Sequence, residues 1–227
     1  FRPATRYMRD LVIGGQLGQI YHISIQYLHS WCLPSRNACM GWRHERNKAG
    51  SGCLGDVGSH MLDLVRFITG EEYTNVVGHK GILVQHRPYT DGTMGTVDTD
   101  DYCNFQIALK SGGTACFQST RLAYGREDYM RMEIYGSQGA LVYHFNAPGI
   151  KGDELEVCIG DVYDRSCAFT KLTVPSRYNA DQLQAFADIL NGCGDGLSAT
   201  LDDGLLSQIS IDRILLSCET GKWESII

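Results

Sequence analysis

The stretch Gly41–Gly70, GWRHERNKAGSGCLGDVGSHMLDLVRFITG, decides how the rest of the chain is read. Its second half has the periodicity of one helix. At about 100° per residue, Leu54, Val57, Met61, Leu64, Val65 and Ile68 share an apolar face, with Asp56, His60 and Asp63 on a polar strip at its flank. Gly70 follows the last periodic residue, where a C-cap glycine belongs. The first half is dense in glycine: Gly50, Gly52, Gly55 and Gly58 crowd the entry and first turns. Gly58 falls inside the helix, where glycine costs roughly 1 kcal/mol relative to alanine, so a close approach to that backbone is expected. An acid and an imidazole one turn apart, beside a surface stripped of side chains, is the pattern of a reaction site.

Upstream of this stretch, residues 1–17 carry a helical stripe of Tyr7, Met8, Leu11 and Val12 that Gly14-Gly15 closes. Gly14-Gly15-Gln16-Leu17-Gly18 resembles half a phosphate loop, but it ends a helix and precedes a strand, the reverse of a dinucleotide fingerprint. It reads as a C-cap. Residues 20–31 alternate with period two, as a strand does, and residues 32–53 form a long loop, a place where function concentrates. Downstream, residues 76–85, 101–109, 114–122, 129–135, 140–144, 154–160 and 168–174 read as short strands separated by turn signals such as Lys110-Ser111-Gly112-Gly113. Short turns between successive strands predict an antiparallel meander. Helical periodicity returns over residues 179–190 and from Asp202-Asp203 to a cap at Gly221, and residues 223–227 read as an edge strand. The expectation is one α+β domain, a large open, mostly antiparallel sheet with helices packed on one face.

Composition narrows the classes. A net charge of −6 with no Lys/Arg cluster argues against a nucleic-acid partner. No apolar run approaches the ~20 residues that cross a bilayer, and no signal peptide opens the chain. Nine cysteines without a CxxC pair suit a reduced cytoplasmic protein better than a disulfide framework. The seven histidines include His22 with His29 and His79 with His86; neither spacing is a common zinc motif, so no metal site is expected and these read as satisfied or surface histidines. The chain opens on Phe1 and reads as a fragment or a processed product.

Several motifs together resemble the C-terminal substrate domain of the glucose–fructose oxidoreductase/inositol dehydrogenase (Gfo/Idh/MocA) family. They are Gly41-Trp42-Arg43, the loop Ala49-Gly50-Ser51-Gly52-Cys53-Leu54, and Gly55-Asp56-Val57-Gly58-Ser59-His60 followed by Leu62-Asp63. Phe1-Arg2-Pro3, Gly18-Gln19-Ile20, Asp100-Asp101, Gly136-Ser137-Gln138-Gly139-Ala140 and the tail 217–221 fit as well, so the resemblance covers nearly the whole chain. It implies an oxidoreductase whose N-terminal Rossmann domain, absent here, holds NAD or NADP and supplies a lysine from a Glu-Lys-Pro motif. Residues 1–227 then form a single substrate-binding and oligomerising domain with no cofactor of its own.

By motif match the catalytic pair is Asp56 and His60. His60 is either the general base that takes a hydroxyl proton, with a pKa suited to neutral pH, or a helix histidine bonded to Asp56 or Asp63. Asp56 either orients that imidazole or binds a substrate hydroxyl, or is a first-turn carboxylate favoured by the helix dipole. Asp63 reads as structural, paired with Arg66 or holding His60. Trp42 and Arg43 could stack on and hydrogen-bond a polyol, or Trp42 could anchor the loop in the core. Tyr124 and Arg126, between two strands, are further substrate-binding candidates. The expected partners are a sugar or polyol and further copies of the chain, packed through the mixed second face of the sheet. Two other readings share the fold: a non-catalytic ligand sensor or interaction module, and a nicotinamide-dependent glycosidase.

Overall fold

The computed structural model describes residues 1–147, 149, 152–160 and 168–226. Helix α1 (Pro3–Ile13) leads into strand β1 (Ile20–Leu28); the long loop holds the short helix α2 (Arg46–Ala49), and a π-helical turn, Leu54–Gly58, runs into α3 (Ser59–Thr69). Then come β2 (Tyr73–Gly81), β3 (His86–Pro88), β4 (Met94–Thr96), β5 (Tyr102–Leu109), β6 (Thr114–Thr120), β7 (Tyr129–Gly136), β8 (Gly139–Phe145), β9 (Asp153–Ile159) and β10 (Thr170–Lys171). Helices α4 (Gln182–Leu190) and α5 (Leu201–Thr220) and strand β11 (Glu224–Ser225) complete the chain.

Among the described residues nine strands form one sheet in the order β10-β9-β8-β7-β1-β6-β5-β2-β11, and β3-β4 make a separate hairpin. The α+β architecture is the expected one; the meander is not. Strand β1 inserts between β6 and β7, pairing parallel with β6 (Ile25 opposite Phe117) and antiparallel with β7 (Ile25 opposite Met132). Turn signals report only chain neighbours. A strand delivered from some 90 residues upstream leaves no mark on the sequence around its slot, so the split between β6 and β7 was invisible there.

Helices α1, α3 and α5 lie on one face. Ala4, Met8 and Val12 of α1, Met61, Leu62, Val65 and Ile68 of α3, and Ile211 and Ile214 of α5 pack with Ile23, Ile25, Phe105, Ile107, Phe117, Met132, Ile134 and Leu141 of the sheet. Each of these side chains larger than alanine contributes roughly 1.5–3 kcal/mol on burial. Phe105 stacks on Phe117 with centroids 4.5 Å apart, tying β5 to β6 under α3. The alternate residues Asn104, Gln106, Gln118 and Arg131 stand exposed on the other face. The caps at Gly70 and Gly221 are left-handed, as a C-cap glycine should be.

Other boundaries move. The first helix stops at Ile13, β1 at Leu28, the strand read over 76–85 runs Tyr73–Gly81, and the one read over 168–174 shrinks to Thr170–Lys171. Ile227 of the expected closing strand lies outside the described residues. Among the described residues no helix is long and apolar enough to cross a membrane.

Candidate active site

The site begins with how the site helix is started. The buried carboxylate of Asp100 accepts the N–H groups of Gly52 and Leu54, each at 2.7 Å, and its carbonyl accepts that of Cys53 at 2.8 Å. A β-carbon on Gly52 would stand 2.1 Å from the Asp100 carbonyl oxygen. The glycine-rich entry therefore accommodates this chain's own 98–101 segment. Gly58 behaves likewise: what approaches it is the Leu54 side chain, 2.9 Å from an added β-carbon.

From this fixed start, the π-helical turn and the first turn of α3 carry Asp56, Val57 and His60 to the rim of a cleft of about 370 Å³. Tyr27, His29 and Trp31 line its opposite wall, and Arg43 closes one end. Arg43 Nε stands 3.4 Å from Asp56 Oδ1, and its guanidinium lies over the Trp42 ring at 4.3 Å. The carboxylate of Asp56 is thus turned to Arg43. Asp63 is not the partner of Arg66, whose ion pairs go to Glu72 and Asp203.

On the far wall, Tyr27 donates its phenolic O–H to Asp128 Oδ1 at 2.5 Å, and His29 Nε2 lies 3.9 Å from the same oxygen. The Tyr27 ring packs 4.6 Å from His29 and 6.2 Å, edge-on, from His60. Burial, aided by the bond to Asp128, pushes the Tyr27 phenol well above its ordinary value. Burial lowers His29, so a neutral imidazole faces the cleft at neutral pH. A wider cleft of about 510 Å³ shares Arg43 and Asp56 and runs between the glycine loop and α5.

A family model described as GFO/IDH/MocA C-terminal domain matches residues 5–142. The chain belongs to the GFO/IDH/MocA family. It is 29% identical to the levoglucosan dehydrogenase of Pseudarthrobacter phenanthrenivorans, over 99% of this chain and 64% of that protein. Among solved structures it is similar to an oxidoreductase domain protein from Kribbella flavida, at 28% identity and a TM-score of 0.85, covering 99% of this chain and 63% of that one. It is also similar to levoglucosan dehydrogenase in complex with NADH and levoglucosan, at 25% identity and a TM-score of 0.87, with the same coverage. The chain spans less than two thirds of the length of these relatives.

Within this GFO/IDH/MocA domain, Gly50-Ser51-Gly52-Cys53-Leu54-Gly55 has the G-x-G-x-x-G spacing of a dinucleotide loop and opens a helix. It does not fit a pyrophosphate. The Gly52 and Leu54 amides already hold the Asp100 carboxylate, and a second anion there would meet a like charge.

Of the candidates read from the sequence, Asp56, His60 and Arg43 converge on the cleft. Trp42, half exposed, sits beneath Arg43 and lines the wider cleft; it is not a core anchor. Tyr124 is 84% exposed and Arg126 lies over Tyr129 at 4.3 Å; neither lines the cleft in this structure. Tyr27, His29, Trp31 and Asp128 were not singled out. Their signal was the period-two run Tyr27-x-His29-x-Trp31, which puts all three on one side of the strand and its extension. His29 is therefore a cleft residue, where the sequence read it as a bland one.

Behind the site, His44 is buried; its Nδ1 accepts the Gly41 N–H at 3.2 Å, which leaves Nε2–H aimed at Cys32 Sγ, 3.5 Å away. Burial, then Arg87 and Arg121, lower its pKa to about 4, against the weaker pull of Asp101. The folded value lies below that of the unfolded chain, so the unfolded chain takes up the proton first. The contribution is complete above ~6.5 and is lost as pH falls toward 4. Urea unfolding of the wild type should lose about 3 kcal/mol more across that window than His44→Gln, by the linkage relation. Parallel pH slopes for the two proteins would remove His44 as the cause.

Proposed function

We propose that this chain is the substrate-binding and oligomerising half of an NAD(P)-dependent oxidoreductase acting on a sugar, inositol or related polyol. The observation that carries the reading is the convergence of Asp56, His60 and Arg43 with Tyr27 and His29 on one small cleft. The family relatives that are levoglucosan dehydrogenases, one of them described in complex with NADH and levoglucosan, support it.

In this reading His60 takes the proton of the hydroxyl at the reacting carbon, and the nicotinamide, held by a separate nucleotide-binding domain, accepts the hydride. Asp56, turned to Arg43, binds a neighbouring substrate hydroxyl and does not orient the imidazole. Arg43 adds donors to the sugar oxygens while Trp42 beneath it offers a stacking face. Tyr27 and His29 form the opposing wall, ordered by Asp128. Tyr124 and Arg126 stay substrate-binding candidates from outside the cleft, on the loop that runs to Asp128. Leu183, Phe186 and Leu190 of α4, with Leu201 and Leu205 of α5, are exposed apolar side chains that suit a seat for the nucleotide-binding domain.

The test is turnover of the full-length protein with NAD or NADP across a panel of sugars and polyols. Reduced nicotinamide should appear with at least one of them. Tight sugar binding without any cofactor reduction would favour the sensor instead. The open sheet face carries the oligomer proposal: its mixed residues Asn104, Gln106, Gln118 and Arg131 suit a two-fold, sheet-to-sheet contact. Light scattering on the purified chain should give a dimer or larger species, and a monomeric mass at tens of micromolar would end this part of the proposal.

A further inference from the structure

We propose that residues 98–101, between β4 and β5, are a template that sets two parts of the cleft in register, with Thr99 and Asp100 as positioning residues. Asp98, Thr99, Asp100 and Asp101 are short polar side chains, the type that bonds readily to backbone. Each takes a different piece of chain. Asp98 Oδ1 accepts the Arg46 N–H at 2.6 Å, and the Asp98 N–H donates to the His44 carbonyl at 3.2 Å. Thr99 Oγ1 donates to the Arg43 carbonyl at 2.9 Å. Asp100 holds the Gly52, Cys53 and Leu54 amides, which start the turn that carries Asp56 and His60. Asp101 fastens the segment to the sheet: its N–H donates to the Gly81 carbonyl at 2.8 Å, and its carbonyl accepts the Arg121 N–H at 3.0 Å. The Arg121 guanidinium then reaches back to the Asp100 carbonyl at 2.7 Å.

Arg43 and Asp56 are 13 residues apart, so the 3.4 Å approach of their side chains depends on where two separate stretches of backbone are placed. Thr99 places one stretch and Asp100, its chain neighbour, places the other. Both are buried, and neither lines the cleft, so each acts only through the residues it holds. The two therefore have separable effects. Thr99 acts through Arg43, which binds substrate, whereas Asp100 acts through the turn that presents Asp56 and His60. A misplacement of that turn is felt at the reacting atoms, where small displacements are costly. The proposal rests on the reading of Arg43, Asp56 and His60 as the residues that act on a sugar.

The test uses the full-length protein and a sugar that it turns over. Thr99→Val removes the hydroxyl and should raise KM by about 3- to 10-fold, what one lost hydrogen bond supplies, with kcat nearly unchanged. Thr99→Ser keeps the hydroxyl and should keep the parent KM. Thr69→Val, which removes a buried hydroxyl bonded to the Val65 carbonyl at 2.7 Å, should lower the urea midpoint without moving KM. Asp100→Asn offers one oxygen to two N–H groups and should lower kcat by about 10- to 100-fold. If that variant does not fold, the Thr99 series decides. Amide hydrogen exchange reads the same variants without turnover: residues 41–47 should exchange faster in Thr99→Val, and residues 50–56 in Asp100→Asn. If no sugar is oxidised, the oxidoreductase reading fails and exchange alone decides this proposal. A parent KM in Thr99→Val, equal defects in its valine and serine variants, equal KM shifts in Thr99→Val and Thr69→Val, or unchanged exchange in both segments would each overturn it.

Discussion

His60→Ala in the full-length protein should lower kcat by ~10²–10⁴-fold while moving KM much less, the range that general acid–base catalysis contributes. The reason is where His60 sits. It is exposed at the rim of the cleft, one turn from Asp56, with Tyr27 edge-on at 6.2 Å as its aromatic neighbour. His44, by contrast, is buried against Gly41 and Cys32 and cannot reach the cleft. Steady-state kinetics of the variant, with and without added imidazole, is the measurement. A kcat within a few-fold of the parent would return His60 to a structural part and leave the sensor reading ahead.

Asp101→Ala should destabilise the domain by about 3–5 kcal/mol, the cost of stranding buried charge. Asp101 is fully buried; its Oδ2 accepts the N–H groups of Leu83 at 2.8 Å and Val84 at 2.9 Å. Its Oδ1 lies 3.9 Å from Arg87 and 3.8 Å from Arg121, two guanidiniums that are themselves buried. Arg121 donates to the Asp100 carbonyl and Arg87 to the Cys32 carbonyl, so this network ties β6, the β3 hairpin and the site loop together. Removing the carboxylate leaves two amides without their acceptor and two buried cations without their countercharge. Urea unfolding should show the loss as a large drop in midpoint at unchanged slope. Lys171→Ala, which breaks a surface pair with Glu154, serves as the control and should barely move it. Equal effects for the two variants would contradict the network's role.

The legible part of this protein was local. The helical stripe from Leu54 to Ile68, the caps at Gly70 and Gly221, and the two-residue alternation of β5 and β7 could be read because each depends on neighbours along the chain. The Asp56–His60 spacing was legible for the same reason, and with it one wall of the cleft. The opposite wall was not. Tyr27 and His29 become site residues only because β1 slots between β6 and β7 and brings its end against α3. Asp128 joins them from a turn 101 residues away.

The glycines make the same division. By itself the sequence determined that the backbone at Gly58 is approached closely, since glycine inside a helix is otherwise unfavourable, and that the entry around Gly52 is stripped of side chains. Only the tertiary structure decided what stands at Gly52, the Asp100 backbone; at Gly58 the neighbour is Leu54, one turn back in the same helical run. A propensity is a property of a residue and its near neighbours, and it survives in the sequence. A contact between distant segments is chosen by which packing buries the most apolar surface while pairing every buried polar group, and that choice exists only once the chain has closed.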